Sequence, residues 1–296
     1  MQDLYLAFDI GGTDIKSGLI NAAGAVIGAD KTPTQAHRGG AGILNELCRL
    51  ADLYLSESKG IKGVAVSTAG QVDIENGVVF KAGPTIPNYA GTNLKNVLEK
   101  HTNLPVEVDN DVNCVALAEK WIGGCQNTMN FVALTLGTGI GGALFLDGAL
   151  YRGHSFSAGE WGYMDVHGRR FEDSASISAL VKAVVDDPSA PHVVDGEHVF
   201  RLYDQGHPSV KKHVKHFLKH LAIGIHTIHA ILNPEMVVIG GGVTKRGAVF
   251  QREVHEAMLQ MTPEWDTPLT LASSGNHAGM VGAVYHFRKR QGVAAY

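Results

Sequence analysis

Two aspartates and three glycine clusters are the residues of this chain whose types and spacing suit chemistry. Asp9 follows the apolar stretch Leu4-Tyr5-Leu6-Ala7-Phe8 and leads into Ile10-Gly11-Gly12-Thr13, and Asp111 closes Asp109-Asn110-Asp111 after the apolar stretch around Pro105 to Val108. A carboxylate beside a bound polyphosphate can hold Mg2+, and one beside a hydroxyl can take its proton during phosphoryl transfer. The plainer alternatives are that Asp111 caps a helix starting at Val112 and that Asp9 anchors a turn. The glycine clusters are Gly11-Gly12, Gly137/Gly139/Gly141/Gly142 and Gly240-Gly241-Gly242, each directly after an apolar strand pattern. Without a Cβ, consecutive backbone N–H groups can converge on an anion, and a nucleoside triphosphate is the natural occupant. One such cluster is commonly a structural turn, whereas three interleaved with strands point to phosphate. None has the GxxxxGK form of a P-loop or the GxGxxG form that opens a helix in a βαβ unit, which argues against P-loop ATPases and dinucleotide dehydrogenases.

The elements that must position these residues alternate between strand and helix. Leu4 to Phe8, about Lys16 to Ile20 and Ala25 to Asp30 read as an antiparallel meander, with a turn at Asn21-Ala22-Ala23-Gly24. Ile43, Leu47, Leu50 and Leu53/Tyr54 have helical spacing, and Ile61 to Val66 is a β-branched strand. A short helix around Leu94 to Leu98, a strand from Pro105 to Val108 and a helix from Val112 to Trp121 continue the alternation, which marks an α/β layered fold. Phe131 to Leu136, a glycine-rich hairpin and Ala143 to Leu146 repeat the arrangement of residues 4 to 20, predicting an internal duplication whose halves each present one phosphate hairpin. The longest helix is expected from Ser209 to Leu232 and is stopped by Asn233-Pro234; strands follow at Glu235 to Ile239 and near Leu269 to Ala272, and a last helix from Ala278 to Arg290.

Composition narrows the function classes. With 296 residues, 45% hydrophobic and 18% charged, the chain is an ordinary two-domain globular length and composition. No uncharged apolar stretch is long enough to cross a bilayer, and Met1-Gln2-Asp3 lacks the start of a signal peptide, so a cytoplasmic protein without a membrane partner is expected. The net charge of −4 and the lack of a basic stripe exclude duplex nucleic acid as a partner. Cys48, Cys114 and Cys125 are odd in number and widely spaced, as reduced thiols would be.

Taken in order, Asp9-Ile10-Gly11-Gly12-Thr13, Asp109-Asn110-Asp111-Val112-Asn113 with Ala116-Leu117-Ala118-Glu119, Leu136-Gly137-Thr138-Gly139-Ile140-Gly141-Gly142, Gly159-Glu160 and Asn233-Pro234-Glu235 with Ile239-Gly240-Gly241-Gly242 resemble the motifs of the ROK family of repressors, open reading frames and sugar kinases. The resemblance covers nearly the whole chain. It implies an actin-like (ribonuclease H-like) ATPase fold with two domains around a cleft, here residues 1–113 plus 276–296 and residues 114–275. It further implies ATP and Mg2+ as cofactors, a small-molecule sugar as substrate and a homodimer. Asp9 would lie near the magnesium, Gly11, Gly12 and Thr13 would form the first phosphate hairpin, and Gly137, Thr138 and Gly139 the second, with Thr138 close to the transferred phosphate. Gly241 and Gly242 would turn beneath the adenosine. Asp111 matches the general base for the sugar's 6-hydroxyl; Gly70, Asn110, Glu160 and Glu172 match positions that meet the sugar.

The chain also departs from the family. Tyr163 follows Gly159-Glu160-Trp161-Gly162 where many members carry a His, and residues 164–171 contain no Cys, so the structural zinc of those members is not expected. In zinc-bearing relatives that His also contacts the sugar near its anomeric end, so Tyr163 is expected to change recognition around C1 and C2, as in ROK β-glucoside kinases. His213, His216 and His220 are expected to be an exposed helix face. Asp14 stands where the family often has Lys and is assigned no role, and the role of Lys16 is left open. The expected activity is phosphorylation of glucose or a β-glucoside, with N-acetylmannosamine kinase and a non-catalytic ROK-type sugar sensor as alternatives. With the first strand expected at Leu4, the winged helix of a repressor is not expected.

Overall fold

Alternation along β1 (Leu4–Ile10) decides how the N-terminal half is layered. Successive strand side chains point to opposite faces. In the computed structural model, which describes residues 3–293, Leu6, Phe8 and Ile10 enter one apolar core and Tyr5 and Ala7 another. β1 pairs antiparallel with β2 (Asp14–Asn21), which pairs antiparallel with β3 (Val26–Pro33). After α1 (Gly39–Glu57), β4 (Ile61–Thr68) joins the free edge of β1 in parallel. The short strands β5 (Gln71–Asp73), β6 (Val78–Lys81) and β7 (Thr92–Asn93) make a separate small sheet. Then α2 (Leu94–Thr102) leads to β8 (Val106–Asn110), parallel to β4, and α3 (Asp111–Trp121) follows without a loop. The large sheet has the order β3-β2-β1-β4-β8.

The second half repeats this plan. β9 (Phe131–Leu136), β10 (Ile140–Leu146) and β11 (Ala149–Tyr151) form an antiparallel meander. A small hairpin of β12 (Asp165–Val166) and β13 (Arg169–Arg170) precedes the helices α4 (Glu172–Ala175), α5 (Ile177–Val185), α6 (Gly196–Asp204) and α7 (Pro208–Leu232). Pro208 sits at the first turn of α7, where its missing N–H costs nothing, and Val210, Val214, Phe217, Leu221, Ile225 and Ile228 form its buried stripe. β14 (Met236–Gly240), α8 (Ala248–Met261) and β15 (Leu269–Leu271) complete the order β11-β10-β9-β14-β15, with β9, β14 and β15 parallel. The duplication read from two hairpins is therefore a duplication of two whole sheets. The last helix, α9 (Ala278–Arg290), returns to the first sheet and packs against α3 and β4.

By internal contacts the chain separates into two compact units. The first holds described residues 3–127, 152–158 and 273–293; the second holds 128–151 and 159–272. The division expected at residue 113 would cut α3, which the structure keeps whole with the first unit because α3 packs along α9. Residues 1–2 and 294–296 of the expected N-terminal domain lie outside the described residues. The small sheet, the β12–β13 hairpin and α5, α6 and α8 were not foreseen; strands of two to four residues are too short to show alternation. Among the described residues no helix is long and apolar enough to cross a membrane.

The α3–α9 contact is closed by glycine. A Cβ on Gly282 would stand 1.7 Å from the carbonyl oxygen of Cys114 in α3, a backbone atom that cannot swing aside. Gly282→Ala must push the helices apart, and we expect a loss of about 3 kcal/mol in urea unfolding with an unchanged m-value. A change below about 0.5 kcal/mol would show that the two helices separate without cost.

Candidate active site

A polar row runs across the three parallel strands of the first sheet. Asp9 of β1 lies opposite Ser67 of β4, and Ser67 opposite Asp109 of β8. Strand parity puts all three on the face covered by α3 and α9, where polar groups require partners. Asp9 Oδ1 accepts from Ser67 Oγ at 2.8 Å, and its Oδ2 accepts from Lys16 Nζ at 3.1 Å. Lys16 stands across from Asp9 on β2 and donates its second bond to the Asn276 carbonyl at 2.8 Å. The first turn of α9 rests on Asp9: a Cβ on Gly279 would stand 2.4 Å from Oδ1, so glycine lets the carboxylate approach a helix N-terminus, which favours negative charge. Asp14 is paired with Lys31 of β3 at 2.8 Å.

Asp109 has no solvent exposure, and burial alone would push its pKa up. The Arg152 guanidinium, His286 and hydrogen bonds from Arg152 and Asn113 outweigh burial and hold the carboxyl below the usual range. Its Oδ1 accepts the Asn110 N–H at 2.8 Å and Asn113 Nδ2 at 3.0 Å, and its Oδ2 accepts from Arg152. Asn110, not Asp111, caps α3: its Oδ1 accepts the N–H groups of Val112 and Asn113 at 2.9 and 3.1 Å. Asn110 Nδ2 donates to the Gly70 carbonyl and to Asp111 Oδ1, both at 2.9 Å. Asp111 Oδ1 also accepts the Val112 N–H at 2.9 Å. Gly70, whose φ of +95° suits glycine, Asn110 and Asp111 are thus brought together in the first unit.

Glu119 of α3 ties down two further segments. Its Oε1 accepts the N–H groups of Ser273 and Ser274, both at 2.7 Å, and its Oε2 accepts the Gly124 N–H at 2.9 Å.

The second unit holds the other glycine clusters. Gly137 N–H closes the hairpin onto the Gly139 carbonyl at 3.1 Å, and the Gly137 carbonyl accepts the Ile177 N–H at the start of α5. Gly241, with φ +98°, lies against the end of β9, since a Cβ there would stand 2.2 Å from the Leu136 carbonyl oxygen. Between this turn, the Gly137 hairpin and α6 is a cavity of about 710 Å³, lined by Gly137, Gly242 and Val243 and walled by Asp195, Phe200 and Arg201. That size suits a nucleotide. Arg246 is fixed at its rim by Asp204 at 2.7 Å and Glu253 at 3.1 Å, with its Cζ 4.4 Å over the Phe200 ring. None of these wall residues carried a motif in the sequence.

Glu172 sits beside the hairpin. A Cβ on Gly139 would stand 2.5 Å from its Oε2, and one on Gly162 2.9 Å. Glu160 precedes the 3-10 turn Trp161–Tyr163. Burial, then the charges of Glu160 and Glu172, push the Tyr163 phenol up, so the three side chains share one neighbourhood. The Arg170 guanidinium lies 5.1 Å over the Tyr163 ring and 3.9 Å from Glu172 Oε1. Residues 164–171, where no zinc site is expected, hold the β12–β13 hairpin: His167 and Gly168 both have positive φ, the two-residue turn that matches strand twist, and Asp165 Oδ1 accepts the Gly168 N–H at 2.9 Å. Among the described residues no group of three or more His, Cys, Asp or Glu is placed to hold a metal ion. The His face of α7 is not uniformly exposed. The His213 side chain is 18% exposed and pairs with Asp187 at 2.8 Å, while the His216 and His220 rings lie 4.0 Å apart, tilted by 40°.

Two five-stranded sheets of one order, each opening on a glycine hairpin, define the actin-like ATPase fold. The ROK family model matches residues 5–290. The beta-glucoside kinase of Listeria innocua is 35% identical over 294 residues, covering 96% of this chain and 97% of its own. Among solved structures, the Lmo2764 protein of Listeria monocytogenes has a TM-score of 0.86 at 32% identity, covering 97% of this chain and 99% of that one. A ROK family glucokinase from Streptomyces griseus in complex with glucose and AMPPNP has a TM-score of 0.81 at 25% identity, covering 95% and 97%. The chain belongs to the ROK family and is an ATP-dependent sugar kinase.

His286 gives the first unit a pH dependence. Burial holds the imidazole neutral, with its pKa below the ordinary value of 6.5. The unfolded chain therefore takes up this proton first, so the stabilisation is complete above about pH 6.5 and is lost as pH falls below it. Asp109, depressed in the fold, acts in the same direction at lower pH. We expect the unfolding free energy to fall between about pH 7 and pH 5, and to fall less in His286→Gln. Identical slopes for the two proteins would show that His286 does not titrate with unfolding.

Proposed function

We propose that the enzyme transfers the γ-phosphoryl group of ATP to the 6-hydroxyl of a glucose-type sugar, with Asp111 as general base. The observation that carries this reading is the setting of Asp111: at the end of β8, in the first turn of α3, with Oδ1 fixed by Asn110 Nδ2 and the Val112 N–H. The 6-hydroxyl oxygen forms a bond to the γ-phosphorus, its proton passes to the Asp111 carboxylate, and the bond from phosphorus to the bridging oxygen breaks to release ADP. Gly70, Asn110, Glu160 and Glu172 hold the ring hydroxyls. Gly11, Gly12, Thr13, Gly137, Thr138 and Gly139 supply the phosphate hairpins, and Gly241 and Gly242 underlie the nucleoside at the cavity of the second unit. Mg2+ commonly keeps waters and takes one or two carboxylates beside substrate phosphates. Asp9 is a single carboxylate at the first hairpin, and because its two oxygens accept from Ser67 and Lys16 it would meet the ion through the waters that Mg2+ keeps. Bound there, the ion would neutralise phosphate charge.

The substrate class favoured here is a β-glucoside. The relative from Listeria innocua at 35% identity is a beta-glucoside kinase, and Tyr163, 47% exposed beside Glu160 and Glu172, stands where zinc-bearing members carry His. A homodimer is proposed with it, to be read from light scattering.

Asp111→Asn should lower kcat by about 10³-fold while sugar affinity stays within a few-fold, because the base acts only in the transition state. A kcat near wild type would remove Asp111 as the base. ATP consumption with glucose, cellobiose, a simple β-glucoside, N-acetylglucosamine and N-acetylmannosamine should be fastest for the C1-substituted sugars, with NMR placing the phosphate at C6. Preference for a free sugar would return the enzyme to the glucokinase or N-acetylmannosamine kinase class.

A further inference from the structure

Residues 152–158 belong with the first unit, although the chain on either side of them belongs with the second. The segment closes on itself through the Ala158 N–H, which donates to the Arg152 carbonyl at 3.1 Å. Each end of it touches a residue that frames Asp111. At one end the Arg152 guanidinium donates to Asp109 Oδ2 and stands 3.2 Å from His286 Nδ1. The opposite oxygen of Asp109 accepts the Asn110 N–H and Asn113 Nδ2, so the carboxylate that Arg152 holds fixes the backbone just before Asp111 and the first turn just after it. At the other end Ser157 Oγ donates to Gln71 Oε1 at 3.0 Å. Gln71 follows Gly70, whose carbonyl accepts Asn110 Nδ2, and that same amide nitrogen donates to Asp111 Oδ1. Between the two ends Phe156 packs against the core under β1.

We infer that residues 152–158 are a brace for the general base, with Arg152 and Asp109 as positioning residues for phosphoryl transfer. The inference rests on the reading of Asp111 given above. A base works only when held within a fraction of an ångström of its proton, and a misplacement of about 1 Å costs on the order of 100-fold in rate. Asp109 cannot hold Asn110 and Asn113 unless its own charge is matched, because it has no solvent exposure. Arg152, 18% exposed, supplies that match with a permanent cation, one guanidinium nitrogen of which reaches both Asp109 Oδ2 and His286 Nδ1. Asp109, Arg152, His286 and Ser157 therefore act through Asn110 on Asp111, and none of them needs to touch the sugar.

The test compares Arg152→Gln, Arg152→Lys and Asp111→Asn in the full-length enzyme, with kcat and KM from ATP consumption, sugar Kd from calorimetry and folding from circular dichroism. Arg152→Gln should lower kcat about 30- to 100-fold with sugar Kd changed less than about threefold, and Arg152→Lys should recover part of the loss. Ethylguanidinium added to Arg152→Gln should raise kcat, whereas sodium chloride at equal ionic strength should not. An unchanged kcat per folded enzyme, or equal falls in kcat and sugar affinity, would overturn the brace. If Arg152→Gln does not fold, Arg152→Lys and Ser157→Ala carry the test, each with kcat lowered and sugar Kd held. A normal kcat in Asp111→Asn would remove the base itself; an inactive Asp111→Asn beside a fully active Arg152→Gln would leave the base standing and discard only the brace.

Discussion

A carboxylate without solvent at the end of a parallel strand must be matched on every side, and the first unit is arranged around that requirement. Asp109 draws a guanidinium from the segment 152–158, an imidazole from α9 and an amide from α3. Without them, burial would return the proton to the carboxyl. The close approach of α9 depends in turn on its small residues. Gly279 lies under Asp9, Gly282 against α3, and His286, one turn on, at Asp109. The three follow the spacing of one helix face, so a single stripe of α9 serves both ends of the polar row.

The two sheets share order and direction but not chemistry. Asp9 and Thr135 are each the penultimate residue of the strand before a glycine hairpin. Asp9 faces Ser67 on the next strand, where Thr135 faces Gly240. The repeated topology thus supplies two phosphate-type hairpins, while only the first sheet carries the acidic row. In the second sheet the small Gly240 leads into the turn that borders the nucleotide-sized cavity. A duplicated frame has been filled with an acid in one copy and with space in the other.

Most elements were legible because they declare themselves locally. The buried stripe of α7 and its Asn233 stop are visible in the sequence, as are the boundaries of α9 and the strands that end in glycine. The proposed base and the cap of α3 were less so. Asp111 and Asn110 are neighbours, and either residue type caps a helix; only the geometry gives the cap to Asn110. Asp109 left a misleading signal, because the alternation Val106-Glu107-Val108-Asp109 reads as a strand with one face in solvent, whereas both faces are buried. Arg152, His286 and Lys16 left none, since their partners lie far away in the chain or across a strand pair. The walls of the cavity come from α6, whose sequence is mostly polar and gives no motif. The segment 164–171 could be read as lacking cysteine, but the positive φ of His167 that makes it a tight hairpin could not.

Glu119 carries a mechanical consequence. The chain leaves the first unit after residue 127, returns to it for residues 152–158 and re-enters it again at Ser273, and one carboxylate grips the backbone near the first exit, at Gly124, and at the last re-entry. Gly124 and Ser273, 149 residues apart in the chain, thus share one anchorage. Of the four places where the chain passes between the units, the first and the last are therefore moored to one side chain.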